Sequence, residues 1–207
     1  MWIIADEQIA GRGRLGRQWV SNPGNLYATL VLPCMARSEH LSQLGFVAAL
    51  AIQQTASEFI KAGSISLKWP NDCLINGAKF SGILIETLRP GLLAIGMGIN
   101  VSQAPEGLPY KAAALGDFGT TATPLEVQAR LDQALQHWLS VWDMGAGFVA
   151  IRSAWMVICG HRHGQITVKL AEGHLSGLFS GLAEDGAMLL KVAGNTRKIH
   201  AGDVVAH

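Results

Sequence analysis

With 207 residues, 49% of them hydrophobic, the chain can bury one sizeable core, and 16 Lys plus Arg against 15 Asp plus Glu leave a formal net charge of +1. A charged fraction of only 15% excludes intrinsic disorder and a surface built throughout to neutralise phosphates, so any basic function has to be local. No apolar run approaches the roughly 18 residues that span a membrane, and the start Met1-Trp2-Ile3-Ile4-Ala5-Asp6-Glu7 lacks the basic region of an export signal.

Residues 2–6 and 25–32 are apolar, β-rich runs, predicted as strands that hold a Gly/Arg loop at both ends. Ser38 can cap a helix over 38–61, because Leu41, Leu44, Ala48, Ala51, Ile52 and Thr55 share one face and Gly63 follows as a stop. Three strands in a row, 65–69, 79–88 and 92–101, with Asn76-Gly77 as the hairpin turn between the first two, complete a mixed, largely antiparallel α+β sheet with packed helices. Residues 103–123 are rich in Gly, Pro, Ala and Thr and are predicted to be irregular. Leu125, Leu131, Leu135, Trp138, Leu139 and Trp142 mark a second amphipathic helix that stops near Gly145, and a shorter helix over 148–158 follows.

From Gly164 the texture changes to short strands, 166–170, 175–182, 187–192 and 197–200, with turns at Glu184-Asp185-Gly186 and Ala193-Gly194-Asn195. This is a β-barrel-like appendage of about 45 residues, and the division expected is 1–158 and 159–207. Three cysteines, Cys34, Cys73 and Cys159, are odd in number and form no C-x-x-C pair, which fits a reducing cytoplasm.

Gly11-Arg12-Gly13-Arg14-Leu15-Gly16-Arg17 places three guanidinium groups and three glycines in seven residues with no acid among them. Glycines let backbone N–H groups approach an anion and arginine forks match phosphate oxygens, so the loop suits a polyphosphate or adenylate; a mobile basic loop or an RNA-binding arm reads equally well from spacing alone. Lys68-Trp69-Pro70-Asn71-Asp72 ends an apolar strand with a cation and polar residues. Lys68 there either faces an anion or is an ordinary edge lysine. Lys79, just past the Asn76-Gly77 turn, reads as a solvated hairpin lysine. Gly96-Met97-Gly98-Ile99-Asn100 puts two glycines into a strand, which suits the close approach of a ligand or of a crossing helix.

Taken together and in order, these segments, with Trp19 and Gly82-Ile83-Leu84-Ile85-Glu86, closely resemble biotin protein ligases of the monofunctional type without a DNA-binding domain, over nearly the whole chain. The resemblance implies a class II synthetase-like catalytic domain followed by a small SH3-like barrel. It also implies a two-step reaction: biotin and ATP, carried with Mg²⁺, give biotinyl-5′-AMP, whose acyl group passes to a lysine of a biotin carboxyl carrier domain of acetyl-CoA or a related carboxylase. By the family pattern Gln8 sits at the ureido or loop-entry position, and Gly11, Arg12, Gly13, Arg14 and Arg17 form the loop over biotin and adenylate. Lys68 and Arg14 are the implied catalytic cations. Asn71, Asp72, Lys79 and Asn100 face the nucleotide phosphates, Gly82, Gly96 and Gly98 let the biotin ring lie against the sheet, and Trp69 and Trp19 wall the ligand.

The family's Ser-Thr-Asn signature, with its strand and helix, has no counterpart before Ala5-Asp6-Glu7-Gln8, so the chain reads as N-terminally shortened, with an exposed sheet edge that favours a homodimer. Near-neutral charge argues against DNA binding. A lipoate- or octanoate-type ligase and a non-catalytic nucleic-acid- or ligand-binding homologue are the alternatives. Cys159, His161 and His163 lie at alternating positions that suit a metal, but lack an evident fourth ligand and read better as a connector. Cys73 has no activating His near it and reads as packing.

Overall fold

A computed structural model describes residues 1–60, 62–162 and 164–205. Six strands form the first sheet: β1 (Trp2–Ala5), β2 (Leu26–Pro33), β3 (Ile65–Lys68), β4 (Asp72–Ile75), β5 (Ala78–Arg89) and β6 (Leu92–Ile99). Their order is β1-β2-β6-β5-β4-β3, and every neighbouring pair is antiparallel. Sequence reading missed β4: four residues between a tight turn and the Asn76-Gly77 turn are too few to show alternation. Asn76 and Gly77 both take positive φ, 48° and 79°, as the two-residue hairpin predicted there requires.

The helix expected from Ser38 begins as a 3₁₀ turn, Ser38–Gln43, and becomes α-helical only over α1 (Leu44–Phe59). Eleven of the sixteen α1 residues are buried, more than one face can supply, because α1 is enclosed by the sheet and by two further helices. It packs on the sheet and also against α2 (Pro124–Trp142) and α3 (Phe148–Ile158), which themselves touch the sheet at β2 and β3. A capping box starts α2: Thr123 Oγ1 accepts from the Glu126 N–H at 3.3 Å and the Glu126 carboxylate accepts from the Thr123 N–H at 2.7 Å.

The second sheet holds β7 (Gln165–Leu170), β8 (Gly173–Leu182), β9 (Met188–Val192), β10 (Asn195–Ile199) and β11 (Asp203–Val205), in the order β10-β9-β8-β7-β11. The expected barrel is an open antiparallel sheet: among the described residues β10 and β11 do not pair with each other, so its two edges stay separate. β11 was not predicted, since three residues carry no periodicity. The Glu184-Asp185-Gly186 turn docks this sheet on the helical layer. A Cβ at Gly186 would lie 2.9 Å from the Phe46 ring, and Trp69 Nε1 donates to the Gly186 carbonyl at 3.3 Å.

Cys34, Cys73 and Cys159 are all free and buried. Burial pushes the Cys159 thiol up to about 11 and the Cys73 thiol higher still, so Cys73 is packing and no nucleophile. Cys159 makes an isolated parallel bridge with Leu67 at the β3 edge, the connector role expected of this segment. His163 of the cluster weighed as a metal site lies outside the described residues.

Candidate active site

Cross-strand register builds the site. One row across the first sheet runs Tyr27 (β2), Gly98 (β6), Gly82 (β5), Asp72 (β4) and Lys68 (β3), and the next runs Thr29, Gly96 and Leu84. The positions between them, Ala28, Met97 and Ile83, are buried in the core, so the two rows occupy the opposite face of the sheet. Two glycines side by side leave a trough in that face, and Trp19 lies in it. A Cβ at Gly98 would come within 2.6 Å of the Trp19 ring and one at Gly82 within 2.9 Å. The glycines therefore seat an aromatic of the protein itself, where the resemblance had placed the ligand ring.

At the end of the row Asp72 binds two lysines, Lys79 Nζ to Oδ1 at 2.6 Å and Lys68 Nζ to Oδ2 at 2.9 Å. Burial alone would push the Asp72 carboxyl up, but the Lys79 and Lys68 ammonium groups outweigh it and hold it below the usual carboxylate range. The trio carries one net positive charge. Lys79 Nζ also stands 5.5 Å from the centroids of both Trp19 and Tyr110, a cation held between two π faces.

The Gly/Arg loop between β1 and β2 closes on its own backbone. Gly13 N–H donates to the Arg17 carbonyl at 2.7 Å and Trp19 N–H to the Gly11 carbonyl at 2.9 Å. A Cβ at Gly11 would sit 2.5 Å from the Trp19 carbonyl oxygen, so no other residue fits there. At the tip Leu15 takes φ 57° and is 83% exposed, a strained conformation of the kind found in segments that act on ligands. Arg14 Nη1 reaches Asn71 Oδ1 at 3.3 Å, and Asn71 in turn donates to the Ile83 carbonyl at 2.6 Å.

Loop, trough and lysines enclose a cavity of about 420 Å³, in the range that takes a drug-sized ligand (about 300–1,000 Å³). Of the residues singled out from sequence, Gln8, Gly11, Arg12, Gly13, Arg14 and Arg17 line it from the loop side. Asn71, Asp72, Lys79, Gly82, Gly96 and Gly98 line it from the sheet. Lys68, though on the same face of the sheet, is not among the lining residues and is paired with Asp72; the lysine that lines the cavity is Lys79, which hairpin logic had left in solvent. Trp69 is no ligand wall: it is 2% exposed and packed in the core, because the strand end turns inward toward Gly186. Asn100 is buried too, donating to the Ala113 carbonyl at 2.9 Å, and opens only on a small recess behind Trp19 and Tyr110.

Three features escaped sequence reading. Tyr110, Leu108 and Pro109 line the cavity from the irregular segment, which is drawn in when Lys79 N–H donates to the Lys111 carbonyl and Ala113 N–H to the Lys79 carbonyl. No periodicity announces such a pairing. Glu86 lines the cavity and lies 3.9 Å from Arg12. Asp203, from the second sheet, approaches Arg14 and Arg17.

Four guanidinium and ammonium groups face one cavity against two carboxylates, one of which is already committed to two lysines. Such a site can hold two anions close together and stabilise negative charge as it develops between them. Residues 1–102 match the Biotin/lipoate A/B protein ligase family, and residues 165–206 match the Biotin protein ligase C terminal domain. The chain is 34% identical over 214 residues to the biotin (acetyl-CoA-carboxylase) ligase of Paracoccus denitrificans, spanning 98% of this chain and 89% of that one. It is 32% identical over 213 residues to the ligase of the same name from Mycobacterium tuberculosis, over 98% and 77% of the two chains. Its fold superposes on the biotin protein ligase from Aquifex aeolicus in complex with biotin and ATP with a TM-score of 0.86 and 29% identity, over 99% of this chain and 87% of that one. The chain belongs to the biotin protein ligase family.

Proposed function

We propose that the chain activates biotin with ATP as biotinyl-5′-AMP and transfers the biotinyl group to a lysine of a carrier domain of acetyl-CoA or a related carboxylase. The observation that carries this reading is the cation-rich loop facing Lys79 across a single cavity, in a chain of the biotin protein ligase family. In the first step a biotin carboxylate oxygen bonds to the α-phosphorus of ATP and the bond from that phosphorus to the pyrophosphate oxygen breaks. Both reactants are anions, so the barrier falls with cations fixed beforehand around the α-phosphate. Lys79 and the three loop arginines fill that role, and Lys68 supports Lys79 through the carboxylate they share. In the second step the acceptor lysine, as its neutral amine, bonds to the acyl carbon, the acyl–oxygen bond to AMP breaks, and the nitrogen gives up its extra proton to solvent. No enzyme nucleophile enters either step.

Mg²⁺ enters as part of the MgATP substrate. Each Asp72 oxygen already meets one lysine ammonium group. The second family match, to a biotin protein ligase C-terminal domain, favours biotin over lipoate or octanoate. The catalytic unit is proposed to span 1–158 and the C-terminal unit 159–207, working in the cytoplasm without DNA and self-associating through the β1 edge. No helix among the described residues is long and apolar enough to cross a membrane.

The test is mass spectrometry of the chain incubated with biotin, MgATP and a carboxylase carrier domain. Biotinyl-5′-AMP and a biotin adduct on one carrier lysine are expected; neither product, or an adduct formed equally well from lipoate, would overturn the reading.

A further inference from the structure

Asp203 lies on β11, the last strand of the second sheet and 186 residues from Arg17 in sequence, yet its Oδ1 accepts from Arg17 Nη2 at 3.1 Å and lies 3.6 Å from Arg14 Nη1. One carboxylate oxygen thus bridges two guanidinium groups of the loop that borders the cavity. Arg14 is the more enclosed of the two cations. Burial draws its guanidinium below the ordinary value and Arg17 adds repulsion, while Asp203 is the largest influence opposing both. Among the described residues Arg14 otherwise meets the neutral amide oxygen of Asn71, and Asp72 adds a smaller attraction than Asp203 does.

We infer that Asp203 is a positioning residue that seats the Gly/Arg loop, acting as the fixed internal anion that holds Arg14 and Arg17 together at the cavity before and after the substrate's phosphate arrives. The contact occupies only part of each arginine fork, which carries five N–H donors, so the remaining donors can take phosphate oxygens without Asp203 letting go. Asp203 itself is placed by the register of β11 on β7, where it faces Lys169, and so is anchored on the second sheet and not on the loop it holds. The C-terminal sheet thereby controls how long the loop stays down. Its control over a reaction intermediate rests on the adenylation reading above; its control over the loop does not.

The loop supplies its own reporter, since Arg12, Arg14 and Arg17 are trypsin sites. In limited trypsinolysis of the ligand-free chain, Asp203→Asn is expected to speed cleavage after Arg14 and Arg17 about fivefold, the scale of one partly exposed ion pair. Asp203→Glu, which keeps the charge, should stay near the parent rate. Thermal melts of both variants must match the parent, because faster cleavage at unrelated arginines or a general loss of stability would assign Asp203 to the fold alone. Equal loop cleavage in the Asn variant and the parent overturns the inference. In a second arm the parent and the Asn variant are loaded with biotin and MgATP, and free biotinyl-5′-AMP is followed by mass spectrometry. Faster release from the variant extends the inference to catalysis, and equal release confines the role to the ligand-free loop and overturns the catalytic part. A parent that forms no adenylate defeats the functional reading while leaving the trypsin result to stand by itself.

Discussion

Asp72 shows what the register of a sheet does for a single residue. Directly opposite Lys68 on β3 and Gly82 on β5, it stands where a half-buried carboxylate is costly unless cations meet it, and two do. Lys79 lines the cavity and Lys68 does not, so their alanine variants should separate. Lys79→Ala is expected to lower adenylation by about 10²–10³-fold, the usual loss for one preorganised cation at a reacting oxyanion, and Lys68→Ala by far less, both followed as pyrophosphate release. His161 offers a pH handle on stability. Burial, with a smaller push from the Lys68 ammonium, brings its imidazole down to about 4 from 6.5. The folded value is the lower one, so the unfolded chain takes up its proton first as pH falls, and stability drops between about 6.5 and 4. Below that window both states are charged and the loss is complete. Urea unfolding of His161→Gln should show a flatter pH dependence across that interval than the parent, without altering the further acid sensitivity that Asp72 brings as its lowered carboxyl is protonated.

Elements explain which parts of the site could be read from the chain and which could not. The Gly/Arg loop was legible because its composition is extreme, and the two strand glycines because a glycine inside a strand needs a reason. What fills the trough was not legible: Trp19 reaches Gly98 and Gly82 only through the way the loop returns to β2. Gly98→Ala is accordingly expected to cost about 1–3 kcal/mol by forcing the Trp19 ring aside, seen as a lowered urea midpoint together with a changed tryptophan emission. Trp69 was misplaced for a related reason. Strand alternation gives two faces but does not say which is the wet one, and here the turn after β3 carries Trp69 into the core. The capping box at the start of α2 was open to reading as Thr-Pro-x-Glu, and Thr123→Ala should lower stability by about 1 kcal/mol, measured by the same unfolding. Within the loop, Arg14→Gly should shed biotinyl-5′-AMP before transfer, detected as biotin on bystander proteins.

At the scale of the molecule, two antiparallel sheets meet around a helical layer, with the Gly186 turn seated against Phe46 and Trp69. The architecture was anticipated as an antiparallel sheet, packed helices and a small C-terminal β unit. The link between the units was not, because Trp69 to Gly186 and Arg17 to Asp203 join residues more than a hundred positions apart, and no local pattern encodes such a distance. On the far edge of the first sheet β1 pairs only with β2 among the described residues, and Ile3 and Ile4 stand 51% and 40% exposed. An apolar edge strand of this kind is a template for another strand. Light scattering is expected to show concentration-dependent self-association that Ile3→Lys abolishes.

The three enclosed thiols turn the protein into its own recorder of motion. A maleimide or iodoacetamide can reach Cys73 only when the helical layer lifts from the sheet, whereas Cys159, bridged to Leu67 at the junction, is exposed by any separation of the C-terminal segment from β3. The ratio of the two alkylation rates in the native protein therefore distinguishes breathing at the junction from global opening, with no label introduced and no residue changed.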